Sequence, residues 1–348
     1  MENLKLNETP VRTARNFRIN NMKLENIEVP EVITSFENVT IIGDTSKINI
    51  EQNADNTNTD LVYGLSKELT NQAKHGANQK IKLNINNTQN KKEKTEAEID
   101  FKFDDENAAL IDNIEITANE NTKSTVIIKY TSNQENESYH NGIIILVNLM
   151  NTKSNNFLAI ENEFEENAKI NYTIVDFGGK HSITNYYSNL LGDNCDNQLN
   201  TIYLGKENQV FDLNYIGELR GKKSNIDIEV QGALKDTSKK HFKGTIDFKK
   251  GCKEATGNEN EACMLLSDTA KSIALPMLLC SEEEVEGNHS SSAGKIGEKE
   301  LFYIMSRGFE LKEAMKLMVR ARFNQILEKI EKKELREEIL QEIDKRLD

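Results

Sequence analysis

From Lys80 to about Cys280 the chain alternates apolar and polar residues in short runs divided by polar turns. Ile81-Lys82-Leu83-Asn84-Ile85, Ile99-Asp100-Phe101-Lys102-Phe103, Ile114-Glu115-Ile116 and Val126-Ile127-Ile128-Lys129-Tyr130 follow this pattern. So do Ile170–Val175, Phe211–Tyr215 and Ile226–Val230. A period of two predicts strands with one buried face. A long series of such runs, with no helical period between them, predicts an all-β body. Sandwich, barrel and β-helix all satisfy the pattern. The lack of a strict hexapeptide repeat disfavours only the regular left-handed solenoid.

Both flanks read differently. Residues 1 to about 59 are irregular, with one short extended segment at Asn16–Asn20. The polar tract Glu51–Asp60 has too little apolar surface to order itself and reads as a loop. Leu61, Leu65 and Leu69 recur at spacing four and predict a helix over Leu61–Ala73. Beyond Cys280 the period lengthens again. Glu298–Ser306 reads as a short helix stopped by Gly308, and Leu311–Ile330 as a longer one. Leu335, Ile339, Ile343 and Leu347 mark a last, strongly charged helix. The expected organisation is an irregular and helical region over residues 1–79, a β core over 80–290 and a helical domain over 291–348.

Charge and cysteine usage narrow the function. The 348 residues carry 57 Asp+Glu against 44 Lys+Arg, a net charge of -13. That balance argues against a nucleic-acid partner, which needs Lys and Arg for phosphate, and against docking on an anionic membrane. The apolar run Gly142–Met150 is too short to span a bilayer. The first twenty residues lack the apolar stretch of a secretory signal, so a cytoplasmic location is expected. In a reducing cytosol Cys195, Cys252, Cys263 and Cys280 stay thiols, each a small core residue or a soft metal ligand. Gly178-Gly179-Lys180-His181-Ser182 lacks the spacing of a phosphate loop, and no Gly-x-Ser-x-Gly elbow accompanies Ser290. Cys280 and His289 stand nine positions apart around an acidic turn. Thiolate and imidazole suit iron or a nascent cluster, while a buried thiol and a hydrogen-bonded turn histidine account for the same pair more plainly.

One long segment carries a more specific pattern. Leu275-Pro276-Met277-Leu278-Leu279-Cys280 leads into Ser281-Glu282-Glu283-Glu284-Val285-Glu286-Gly287-Asn288-His289. Gly294-Lys295-Ile296-Gly297 and Glu300-Leu301-Phe302-Tyr303-Ile304-Met305-Ser306-Arg307-Gly308 follow. A Pro-containing strand, an acidic turn with Val, a His, a Gly, then Leu-Phe-Tyr and Ser-Arg-Gly on a helix resembles the C-terminal signature of the SufB/SufD family. His241–Ile246, Lys250-Gly251-Cys252 and Met264–Asp268 are similar to that family too, and weaker similarity reaches back over Phe211–Gly232. The resemblance covers roughly the last 140 residues.

The resemblance implies a mainly β fold, a right-handed parallel β-helix with N-terminal and C-terminal helical regions. It implies a non-enzymatic scaffold of a SUF-type iron–sulfur cluster assembly complex. Its partners would be a SufC-like ABC ATPase, a cysteine desulfurase as sulfur donor, and a second chain in a homodimer or a SufB/SufD-type heterodimer. A transient, nascent iron–sulfur cluster would meet His289 and Cys280, with Cys263, Cys252 and Glu261 as further candidates. Cys195 reads as structural or incidental, and Glu259, like Glu261, as a carboxylate that could ligate, although surface-facing acids are commoner. Phe302, Tyr303, Met305, Ser306 and Arg307 would contact the ATPase. Two departures stand out: Ser290-Ser291-Ser292 follow the His where the family commonly has Gly-Ala or Glu-Ala, and Glu261 stands where SufB-type members carry Cys. The second leaves a SufD-type structural partner without cluster ligands as an alternative. A polysaccharide-acting β-helix enzyme is the remaining one, disfavoured by 6% aromatic residues and no Trp to stack sugars.

Overall fold

The computed structural model describes residues 3–11, 20–25, 34–43, 47–54, 65–85, 95–104, 106–107, 109–118, 124–132, 145–148 and 155–348. The elements are β1 (Asn3–Leu6), β2 (Met22–Glu25), β3 (Val39–Gly43), β4 (Ile48–Gln52), α1 (Lys67–Gly76), β5 (Gln79–Ile85), β6 (Thr95–Phe103), β7 (Asp112–Ala118), β8 (Ser124–Ser132), β9 (Ile145–Asn148), β10 (Asn155–Phe164) and β11 (Lys169–Asp176). They continue through β12 (His181–Leu190), β13 (Asp196–Gly205), β14 (Val210–Leu219), β15 (Asn225–Leu234), β16 (Lys239–Phe248), β17 (Ala255–Leu265), β18 (Lys271–Cys280) and β19 (Val285–Lys295). Three helices end the chain: α2 (Glu298–Met305), α3 (Leu311–Leu327) and α4 (Lys333–Leu347). The chain divides into two units, and β10, β12 and β14 contribute residues to both.

The first unit holds Met1–Asn162, Gly178–Ser188 and Asp212–Tyr215. In it β3, β6, β8 and β9 lie side by side, and β4, β5 and β7 form a three-stranded sheet. The alternation read in β5 and β6 buries Ile81, Leu83, Ile85, Ala97, Ile99, Phe101 and Phe103 on one face. Helix α1 starts later than its leucine spacing predicts. Ser66 caps it, its side chain accepting from the Leu69 N–H, and such a cap fixes where the helix begins. Leu69 and Ala73 then pack with Leu6, Leu24, Leu65, Ile111, Phe157, Ala159 and Ile183. Leu61 lies outside the described residues, as does Asn16–Asn20 apart from Asn20. Glu51 and Gln52, read as part of a loop, belong to β4, paired with Lys82 and Ile81. Strands of four or five residues are too short for a period to stand out.

The second unit holds Glu163–Phe177, Asn189–Phe211 and Ile216–Asp348, and it is a parallel β-solenoid. One sheet runs β11, β13, β15, β17, β19, all parallel and in register. In the other, β16 pairs with β18 in parallel. Asp196 stands opposite Asn225, Asn225 opposite Thr256 and Thr256 opposite Glu286, so one turn takes about 30 residues. The turns differ by a residue or two, which is why no strict repeat appears in the sequence. At one corner Asn194, Lys223 and Glu254 adopt φ of 59°, 57° and 60°. Their N–H groups donate to Lys222, Lys253 and Glu284 carbonyls on the next turn, at 2.8, 2.9 and 2.7 Å. Cys195 lies in this corner, buried, its thiol donating to the carbonyls of Glu165 and Gly192.

The helical tail folds back on the same unit. Ala314, Val319, Phe323, Ile326 and Leu327 of α3 are buried, and α3 lies against β13 and β15. Phe323 stacks on Phe177 with ring centroids 6.3 Å apart. Lys329 Nζ donates to Asn200 at 2.6 Å. From α4, buried Arg346 donates to the Phe177 carbonyl and to Glu342. This cover buries Asn200 and Ile202 on the outer face of β13, so the strand is enclosed on both sides despite its polar positions. The short α2 is different, having no buried residue.

Candidate functional site

The last turns of the solenoid enclose a polar interior. On β17, alternation puts Gly257, Glu259, Glu261 and Cys263 on the inner face and Asn258 and Asn260 on the outer one. Outside, the β19 residues continue the ladder: Asn288 donates to Asn258 at 3.1 Å and Ser290 to Asn260 at 2.7 Å. Inside, Ser291 Oγ donates to Glu261 Oε2 at 2.8 Å. His289, two residues earlier and opposite Glu259, shares that inner face.

Glu261 is fully buried and ion-paired. Lys240 Nζ, also fully buried, reaches its Oε1 from β16 at 2.7 Å. Tyr203 OH donates to the same oxygen at 3.3 Å. Tyr203 lies over Gly232, where a Cβ would meet its ring at 1.8 Å. Such a pair is tolerated only because the Coulomb attraction and added hydrogen bonds offset desolvation. Cys263 lies next to this group, hydrogen-bonded with Tyr203 and Ser272, and burial holds its thiol above the ordinary range. Glu259 has no such compensation. It is 2% exposed, and neither carboxyl oxygen has a hydrogen-bond partner. Burial and the neighbouring Glu261 push its pKa up to about 8. Its carboxyl rests against Gly244 of β16, where a Cβ would come within 2.1 Å of Oε2.

The predicted site residues are therefore spread along the end of the solenoid. Glu261 and Cys263 are inside. Cys252 is fully buried, and burial raises its thiol pKa. Cys280 is exposed at the end of β18, its thiol donating to the Glu282 carbonyl at 2.9 Å. His289 is exposed in β19, four residues past Val285 and roughly 13 Å along the strand. Among the described residues no three His, Cys, Asp or Glu side chains converge closely enough to share a metal ion. No described helix is long and apolar enough to cross a membrane.

Beyond β19 the sheet has no further strand among the described residues, so one side of β19 is an edge. Two residues after it, α2 begins, and its Phe302, Tyr303 and Met305 are 74%, 59% and 41% exposed. Arg307 stacks over the Tyr303 ring at 5.0 Å and donates to its hydroxyl, while Ser306 Oγ donates to the Tyr303 carbonyl. Sequence reasoning missed the Lys240–Glu261 pair and the isolation of Glu259. The available signal was the run Gly257, Glu259, Glu261, Cys263 on one parity, an acidic face on a strand whose other face is also polar.

Residues 101–322, more than half of the chain, match the profile of the SUF system FeS cluster assembly, SufBD core domain. Among curated proteins, the iron–sulfur cluster assembly protein SufD of Bacillus subtilis is 28% identical over 152 residues, which cover 44% of this chain and 35% of that protein. A SufBD family protein of Pyrococcus horikoshii is 32% identical over 157 residues, 44% of this chain and 34% of the relative. One of Methanothermobacter thermautotrophicus is 31% identical over 133 residues, 37% and 31% of the two chains. The chain thus spans about a third of the length of the curated relatives it matches. With the profile match and the parallel β-solenoid taken together, the chain belongs to the SufBD family of the SUF system for iron–sulfur cluster assembly.

Proposed function

We propose that this protein is a non-enzymatic scaffold component of a SUF-type complex in the cytoplasm, on which a nascent iron–sulfur cluster is built as cargo. The observation that carries this reading is the form of the last solenoid turn. Edge strand β19 exposes His289 and runs within two residues into α2, whose apolar side chains are also exposed. A second chain, the same or a SufB/SufD-type paralogue, pairs beside β19 and completes a ligand set that the described residues of one chain do not assemble. Imidazole from His289 and thiolate from Cys280 are its soft donors. Sulfur comes from a cysteine desulfurase. ATP is hydrolysed by a SufC-like ABC ATPase that grips α2 through Phe302, Tyr303 and Met305, as an apolar helix face fits a groove.

A second reading has a specific observation in its favour. Glu261 occupies the position at which SufB-type members carry Cys, and it is locked to Lys240. A SufD-type subunit that supports the site without holding the cluster fits that substitution, and the relative from Bacillus subtilis bears the SufD name.

Docking is tested with Phe302→Asp. Removing everything after Gly297 would also strip the buried faces of α3 and α4 from the solenoid. Phe302 touches no core, so its replacement leaves the fold intact. Co-purification with the ATPase should fall at least tenfold in the amount recovered. Unchanged recovery would place the contact elsewhere.

A further inference from the structure

Cys280 is the exposed thiol among the four cysteines, at the end of β18. A second thiol lies in the corner of the preceding turn. Cys280 stands in register with Phe248 of β16, and neighbouring strands lie about 4.8 Å apart. Just past Phe248 the chain makes a tight turn, in which the Cys252 N–H donates to the Lys249 carbonyl at 3.3 Å. A turn of that kind holds its first and fourth Cα within about 7 Å. Cys252 is thereby kept beside the end of β16, beneath the end of β18, with its side chain fully buried. Glu282 ties the two corners together. Its carbonyl accepts from the Cys280 thiol at 2.9 Å, and its Oε2 accepts from the Gly251 N–H at 2.8 Å. Cys280 is near enough to act electrostatically on the Cys252 thiol. The other two cysteines are buried and engaged elsewhere, Cys195 with backbone carbonyls and Cys263 with Tyr203 and Ser272.

We propose that Cys252 and Cys280 are a redox pair that closes to a reversible disulfide when the protein meets a low-molecular-weight disulfide. Exposure decides the order of events. The Cys280 thiolate attacks one sulfur of the reagent, forming a mixed disulfide and releasing one thiol. The Cys252 thiolate then attacks the Cys280 sulfur and releases the second. Two protein thiols are oxidised, one disulfide is reduced, and both protons leave with the released thiols. In a reducing cytosol such a bond is transient and forms only under oxidant. It withdraws the exposed thiol from solvent and fastens the end of β18 to the turn below it. Its consequence for the cluster, the loss of Cys280 as a soft donor, rests on the assembly reading; the bond itself does not.

The test uses the reduced full chain, equilibrated with oxidised glutathione and then alkylated. Free thiols should fall from four to two in wild type. Tryptic digestion without reductant should give the Gly251–Lys253 peptide joined to Ser272–Lys295, and reductant should separate them. Cys252→Ala should stop at a glutathione adduct on Cys280. Cys280→Ser should keep its three remaining thiols, all buried, because the first attack is lost. A wild-type chain that stops at the adduct, keeps all four thiols, or links either cysteine to Cys195 or Cys263 overturns the proposal. Cluster formation by the reduced chain is read separately, so failure of the disulfide and failure of the assembly reading are told apart.

Discussion

Lys240→Ala is expected to destabilise the protein by about 3–5 kcal/mol, the cost of leaving one member of a buried ion pair without its partner. Lys240 and Glu261 are both fully buried, and the 2.7 Å contact links the two sheets of the solenoid. Removing the ammonium strands Glu261 in a low-dielectric interior that already holds Glu259. Ser291 and Tyr203 still donate to Glu261, but neither carries a charge. The double variant Lys240→Met with Glu261→Met removes the desolvation penalty along with the attraction, and should recover most of the loss. Denaturant midpoints for wild type, single and double variants measure this. A single-variant change below about 1 kcal/mol would mean that the pair is not formed.

Stability should also fall as pH rises between about 4.5 and 8, and Glu259→Gln should remove that part of the slope. Glu259 has an ordinary carboxyl pKa of 4.5 when unfolded and about 8 when folded. In this window the folded chain keeps a proton that the unfolded chain has lost, so raising the pH favours unfolding. The penalty is nearly absent below pH 4.5, reaches about 3 kcal/mol at pH 7 and levels off above about pH 8. The charged neighbour that acts on Glu259 is Glu261 on its own strand; Lys240 of β16 is paired with Glu261, and His289 stands opposite Glu259 on β19. Each is retained in Glu259→Gln, so the difference between the two pH profiles isolates this carboxyl. Parallel profiles from pH 5 to 8 would show that the folded protein does not hold Glu259 neutral.

Both effects arise where the sequence is hardest to read. The strands β5 to β8 are legible because Ile81, Leu83 and Ile85, or Ile99, Phe101 and Phe103, alternate with polar and charged residues. The tail is legible because Leu335, Ile339 and Ile343 recur at spacing four. Within the solenoid, Ile170–Val175, Phe211–Tyr215 and Ile226–Val230 alternate too and lie in β11, β14 and β15, and the family resemblance implied the β-helix; the pairing of its strands is not legible from the period, because its contacts join residues about 30 positions apart through turns of unequal length. Lys240 stands beside a second lysine, Lys239, yet alternation sends it inward to an acid 21 residues away on the facing sheet. Near Glu259 both faces of β17 are polar, so hydrophobicity does not identify the inner one. His289 was found by its family motif, not by its surroundings. Its position on an edge strand, four residues into β19 and on a different sheet from Cys280, became visible only with the fold.

The measurement that bears most directly on the assembly reading is cluster formation by the purified complex of this chain with its ATPase partner. Iron, sulfide and reductant are supplied anaerobically, and visible absorption is followed for wild type and His289→Ala. His289 is exposed on the last strand, so the variant should fold and bind the ATPase as wild type does. The account predicts that wild type turns brown and that His289→Ala forms several-fold less cluster. Equal cluster formation by both would contradict it, and would leave the chain as a structural partner to a scaffold that holds the cluster itself.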